Sequence, residues 1–183
     1  ETITLEFGVS GLLYNSNVVM YERNTMGLWS QVYMQAITGP HAGRTLEHLP
    51  VRMMTFAQFD RQHPDGFVLT TQTGHRRDYR RNPYAGYFRS DRLFMPMEFS
   101  DALPAKTLGM GVRLGEYTAF VTAEAAREDP VTLQTPGGEV VITFRDNAGM
   151  FVRSAPPKAR VVQTFWHSWS AFHPGTRIIR PGE

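Results

Sequence analysis

Apolar residues along most of this chain recur at every second position or in short runs bounded by Gly, Pro and Asn, a pattern of strands rather than helices. Ile3, Leu5 and Phe7 alternate with Thr2, Thr4 and Glu6, which predicts a half-buried strand over Thr2–Phe7, broken by Gly8 and Gly11. Val18–Arg23 and Leu28–Gln31 flank Asn24-Thr25-Met26-Gly27 and read as a hairpin, with Val32–Thr38 continuing its second strand. Gly39-Pro40-His41-Ala42-Gly43 is a turn. It leads into an extended Thr45–Met53, where Pro50 implies an edge or a bulge. The first third is therefore a meander.

Helical signals are few and short. Thr55-Phe56-Ala57-Gln58 has the spacing of a capping box before a helix that must stop near His63-Pro64. Asp65-Gly66 then turns into a predicted strand, Phe67–Thr70. Further strands are predicted at Thr107–Leu114 and Tyr117–Thr122, about Gly115, and at Val131–Thr135, Glu139–Arg145 and Met150–Arg153. Turns fall at Pro136-Gly137-Gly138 and Asp146-Asn147-Ala148-Gly149, and a short helix over Ala123–Asp129 is ended by Pro130. The chain closes with a strand at Arg160–Gln163 and an aromatic helix over Phe165–Phe172, stopped by His173-Pro174-Gly175. This predicts a mainly β fold with a few short helices, with α+β as the variant.

At an offset of 110 residues Val51 matches Val161, Phe56 matches Trp166, and Phe59 matches Trp169. His63-Pro64 likewise matches His173-Pro174, and Val68-Leu69 matches Ile178-Ile179. A strand, helix, His-Pro, strand unit thus occurs twice. Residues 1–183 read as a single domain of two unequal, diverged repeats, about 1–70 and 106–183, joined by an Arg/Tyr-rich loop over 71–105.

Composition narrows the function classes. Hydrophobic residues make up 42% and charged residues 20%, ordinary values for a folded chain, and no apolar run reaches the roughly 18 residues of a membrane span. No membrane insertion is expected. The chain opens on Glu1 directly in a strand pattern, which reads as a fragment. It has no cysteine, so within it there are no disulfides, thiolate metal sites or cysteine nucleophiles. The net charge of +2 is too small to imply a nucleic-acid partner, and none is expected.

Most candidate motifs dissolve on inspection. Gly8-Val9-Ser10-Gly11 lacks the spacing of a nucleophile elbow and runs into Leu12-Leu13-Tyr14 rather than a helix. His41, His48, His63, His75, His167 and His173 include no pair spaced to share a face, so neither a metal nor a cofactor is expected. His63 and His173 sit where helices end, positions suited to bonding free carbonyls. Phe165, Trp166, Trp169 and Phe172 have the spacing of a buried helix face.

The segment from Arg76 to Arg92 differs. Six arginines and two aspartates give it a local charge of +4, leaving −2 for the rest of the chain, and Tyr79, Tyr84, Tyr87 and Phe88 interleave with them. That mixture pins a loop to a surface, binds a small anion, or contacts single-stranded nucleic acid. The candidate ligand site is Arg77, Asp78, Tyr79, Arg80, Arg81, Asn82, Tyr84 and Tyr87. In it Asp78 is expected to pair with an arginine, and Tyr84 and Tyr87 to dock on the sheet. Arg77, Arg80 or Arg81 then faces a small anionic ligand, a carboxylate or phosphate.

Several blocks together carry a family resemblance. They are Phe7-Gly8-Val9-Ser10-Gly11-Leu12-Leu13-Tyr14-Asn15-Ser16, Met20-Tyr21-Glu22-Arg23, Leu28-Trp29-Ser30-Gln31 and Gly39-Pro40-His41-Ala42-Gly43. Arg77-Asp78-Tyr79, Asn82-Pro83-Tyr84-Ala85-Gly86-Tyr87 and the closing Phe165-Trp166, Trp169, Phe172-His173-Pro174 add to them. Across nearly its whole length the chain resembles domain-of-unknown-function family 3179. The resemblance implies an extracytoplasmic location, since many members carry secretion signals. It also implies a Cys-Pro-Leu-Cys segment ahead of the position of Glu1, which this chain does not contain. Two classes stay open: a non-catalytic binding domain with a small-anion site at the Arg/Tyr loop, or a metal- or redox-linked enzyme. The latter would join upstream cysteines to His, Trp29, Ser30 and Gln31 of this chain.

Overall fold

The computed structural model describes residues 3–49, 51, 54–145 and 149–183. Strand outweighs helix, and the described strands form three sheets. The first sheet holds β1 (Phe7–Tyr14), β2 (Asn17–Glu22), β3 (Leu28–Ser30) and β4 (Gln35–Ala36), in that order. After α1 (Phe56–Gln62) and α2 (Ala85–Phe88) come β5 (Leu108–Leu114), β6 (Tyr117–Thr122), α3 (Ala123–Glu128) and β7 (Val131–Thr135). The chain ends with β8 (Gly138–Arg145), β9 (Gly149–Ser154), β10 (Arg160–Phe165), α4 (Trp166–Phe172) and β11 (Arg177–Ile179). The second sheet runs β10-β5-β6-β11 and the third β7-β8-β9. All pairings are antiparallel except β11 on β6.

Two clusters make the core. One joins Met110, Val112, Ala119 and Val121 of the second sheet to Leu133, Val140, Ile142 and Met150 of the third, with Ala125 and Ala126 of α3 between them. Thr122 caps α3 by accepting the Ala125 N–H at 3.2 Å. The other cluster sets Trp166 and Trp169 of α4 against Phe120 and Val32. Gly111 lets α4 lie close on β5, since a Cβ there would fall 2.1 Å from the Trp169 ring.

Five predicted segments differ. Residues 3–6 carry no strand, and β1 begins at Phe7 and continues through both glycines. Gly11, at φ +76°, takes up a register shift between Val9 and Leu13, so it makes a bulge instead of a break. Val32–Thr38 does not prolong β3: the chain reverses over residues 31–34, with Met34 at φ 60° and the Tyr33 N–H bonded to Ser30 Oγ at 3.1 Å, and returns as β4. Phe67–Thr70 forms no strand, its Phe67 and Leu69 being 99% exposed, because no strand among the described residues offers it a ladder. The Arg/Tyr loop holds the short helix α2. Residues 45–49 and 51 form no strand either, while Pro50, Arg52, Met53 and the turn at Asp146-Asn147-Ala148 lie outside the described residues.

The remaining signals are met closely. The capping box closes through Gln58 Oε1, which accepts the Thr55 N–H at 2.9 Å. The hairpin turn at 23–27 is organised by Glu22, buried and accepting the backbone N–H groups of Asn24, Thr25 and Gly27 together with the Thr25 hydroxyl. That hydroxyl above all, then the backbone donors, holds the Glu22 carboxyl below its usual range.

Candidate functional site

The Arg/Tyr loop is a pinned surface loop. Arg77, Asp78, Tyr79, Arg80, Arg81, Asn82 and Tyr84 are all exposed, and of the candidate residues only Tyr87 is half-buried. Among the described residues Asp78 forms no ion pair with an arginine; its Oδ1 accepts the Arg80 N–H at 3.0 Å, a local turn bond. Asn82 does the same for Tyr84, at 2.9 Å, in the turn that contains Pro83. Tyr84 does not dock on a sheet: it stays 53% exposed and meets Phe94 edge-on at 6.2 Å. Tyr79 bonds Thr73 through its hydroxyl.

The anchor is Tyr87 together with a residue outside the predicted set. Lys106 places its ammonium 3.7 Å above the Tyr87 ring and donates to the carbonyls of Tyr87 and Ser90. Tyr87 also stacks on Phe94 at 4.2 Å, and burial raises its phenol pKa. Phe88 reaches Phe165 at 6.2 Å, tying α2 to the end of β10. The arginines therefore project from a loop held by its aromatic residues.

A cavity lies elsewhere. A pocket of about 370 Å³ opens between the first sheet and β10. Phe7, Met20, Trp29, Met34 and Leu46 form its apolar wall, and Gln31, Gln35, Glu47, His48 and Arg160 supply polar groups. Strand alternation and the reversal after β3 bring these distant residues together. Trp29 is only 6% exposed and packs edge-on to Phe7 at 5.5 Å, yet its indole N–H has no hydrogen-bond partner among the described residues. A buried donor left unpaired costs about 1–3 kcal/mol, so an acceptor arriving there recovers that loss. Arg160 donates one Nη1–H to the Leu46 carbonyl at 3.0 Å, which holds the 46–48 segment across the pocket. Burial first, then the Arg160 charge, lowers the pKa of His48.

Sequence reasoning marked Trp29, Ser30 and Gln31 as a block of the family resemblance and as partners of upstream cysteines in the enzyme reading, set His48 aside as a metal ligand, and missed Phe7, Met34, Leu46 and Arg160 as site residues. Their separation along the chain leaves no motif. The one local signal is an aromatic followed by Ser-Gln at a strand end.

A second buried polar group sits at the end of α4. His173 is 7% exposed, with its ring 4.0 Å from Trp169 and 6.0 Å from Tyr33, and Nε2 has no partner among the described residues. Burial, helped by the Arg113 charge, pushes its pKa down to about 4. Its backbone N–H bonds the Trp169 carbonyl, but among the described residues its imidazole bonds no free carbonyl at the helix end, so the expected side-chain role is not seen. Among the described residues no three His, Asp or Glu side chains cluster to hold a metal, and no helix is long and apolar enough to cross a membrane.

Fold and pocket define a β-rich domain with a small, largely apolar cavity. The chain belongs to the family described as "Protein of unknown function (DUF3179)", whose sequence profile matches residues 1–159. No curated protein and no solved structure matches it.

Proposed function

We propose that this is a non-catalytic ligand-binding domain whose site is the Trp29 pocket, and that its ligand is a small, mainly apolar carboxylate. The observation that supports this most is a cavity lined by Arg160 and by Trp29, whose buried indole N–H has no hydrogen-bond partner among the described residues. Apolar walls with a few oriented polar groups are the usual make-up of small-molecule sites. The indole N–H takes one oxygen, the apolar wall takes the hydrocarbon body, and Arg160 selects for negative charge. A second reading keeps the small anion at the Arg/Tyr loop, favoured by its six exposed or half-exposed arginines, none of which forms an ion pair among the described residues.

A thermal-shift and tryptophan-fluorescence series separates the two. Aliphatic and aromatic carboxylates should raise Tm in proportion to ln(1 + [L]/Kd). Trp29→Phe and Arg160→Gln should each weaken binding about tenfold, and Arg77→Ala should leave it unchanged. Stabilisation by phosphate or sulfate that disappears in Arg77→Ala returns the site to the loop. No response to any carboxylate refutes the pocket.

A further inference from the structure

The Arg/Tyr loop carries unbalanced charge and exposed aromatic surface in one short stretch. All six arginines from Arg76 to Arg92 are exposed, and none of them forms an ion pair among the described residues. Asp78 turns an oxygen to the Arg80 backbone N–H at 3.0 Å and not to a guanidinium. The stretch therefore holds a net charge of +4 at the surface, against −2 for the rest of the chain.

Among these arginines lies an aromatic patch. Tyr84, Phe88 and Phe94 are 53%, 55% and 59% exposed, and their rings are linked through Tyr87 and Phe94. Phe94 stacks on Tyr87 at 4.2 Å and takes Tyr84 edge-on at 6.2 Å, while Tyr87 meets Phe88 at 5.8 Å. Lys106 fixes the patch by bonding the Tyr87 and Ser90 carbonyls, and Phe88 fixes it by touching Phe165. The loop is thus presented as a held surface.

The charge calls for an extended polyanion, and the arrangement of the rings selects among polyanions. A single-stranded nucleic acid stacks its bases on separate, free ring faces. Here Tyr87 already holds Phe94 and the Lys106 ammonium against its ring, and Phe94 has one face on Tyr87. A contiguous aromatic patch among arginines suits a bilayer surface instead, where rings sit at the polar–apolar boundary and guanidiniums meet phosphates. We infer that this loop is a peripheral membrane contact that docks the protein on an anionic lipid surface. The arginines bind headgroup phosphates, and Tyr84, Phe88 and Phe94 rest at the acyl boundary. Such attachment lies on the bilayer and needs no spanning helix. It gives the loop a lipid surface in place of the free anion considered above, and it does not depend on the Trp29 pocket.

Vesicle flotation tests this. Phosphatidylcholine vesicles with about 30% phosphatidylglycerol should bind the protein, and vesicles of phosphatidylcholine alone should not. Raising NaCl from about 0.1 to about 0.5 M should release most of it. Arg80→Gln with Arg81→Gln should weaken binding about 25-fold, about fivefold for each charge, with Tm unchanged. If that pair fails to fold, Arg76→Gln with Arg77→Gln should show the same loss. Tyr84→Ser should weaken binding severalfold without changing its salt dependence. Equal binding to both kinds of vesicle, binding to neither, or binding that both arginine pairs leave unchanged overturns the proposal. So does release of the vesicles by millimolar inorganic phosphate at constant ionic strength, which would mark a free-anion site. Tighter, arginine-dependent binding of a single-stranded oligonucleotide or an acidic peptide overturns it as well.

Discussion

The region from β5 to β11 and the region from residue 40 to residue 105 are built from similar materials with opposite results. Both contain a seven-residue helix closed by His-Pro and flanked by apolar residues. In the later region every strand has a partner, and Val112, Ala119, Phe120, Val121, Val140, Ile142 and Trp169 are fully buried. In the earlier one there is no ladder strand among the described residues, α1 has no buried residue, and Phe67 and Leu69 stand in solvent. A capping box and a helix stop are satisfied by bonds within about four residues, so they form in either setting. Burial of a strand or an aromatic face needs a second element, and only one of the two units has it.

The sharpest way to break this contrast is a matched pair of truncations. Trp166→Ala removes a buried ring whose indole N–H donates to the Ser100 carbonyl at 2.6 Å, and it should cost about 3–5 kcal/mol. Phe56→Ala, its counterpart, should change the stability of residues 1–183 by less than about 0.5 kcal/mol. Chemical denaturation measures both. Equal costs would mean that α1 is packed in solution and that the two regions do not differ.

Gly111→Ala probes how closely α4 is held. A Cβ at this position meets three atoms of the Trp169 ring at 2.1–2.4 Å, and that ring is wedged in the core, so the helix must move. The expected cost is about 1–3 kcal/mol, with a loss of tryptophan fluorescence structure. A neutral result would show that the α4 contact is loose and that the contrast is one of exposure only.

The smallest effect is a pH dependence. His173 has a folded pKa of about 4 against an ordinary 6.5, so the unfolded chain takes up the proton first as pH falls. Its contribution is complete above pH 6.5 and is lost progressively down to pH 4, by on the order of 2 kcal/mol. His167, lowered by burial despite its bond to the Ala105 carbonyl, adds to the same limb. Glu22 acts in a separate window, below pH 4.5, where protonation removes the acceptor of its turn. His173→Phe should flatten the limb between pH 6.5 and 4 in urea titrations. An unchanged limb in His173→Phe would assign the dependence to His167.

Much of this architecture is legible in the residues because its determinants are local. Thr55 and Gln58 close the predicted capping box, Pro130 follows α3, and β5, β6, β7 and β8 fall within one or two residues of their alternating patterns. The errors occur where local pattern and pairing disagree. Gly11 has the composition of a break, but a paired strand beside it converts the same freedom into a bulge. Phe67–Thr70 has a strand's composition, but composition cannot hydrogen-bond.

The site divides along the same line. Charge density marked the Arg/Tyr loop, and the loop exists, but Lys106 anchors it from outside the segment. The Trp29 pocket joins Phe7, Trp29, Met34, Leu46 and Arg160 across more than 150 positions, and no spacing rule spans that distance. Sequence alone determined the β-rich class, the short helices with their caps, the family and the absence of thiol chemistry in this chain, because each depends on residue type or near neighbours. Tertiary structure alone decided which strands pair, which of two like helices is buried, and which distant residues line one cavity. Those outcomes depend on contacts between residues far apart in the chain, which are set by which element lies alongside which.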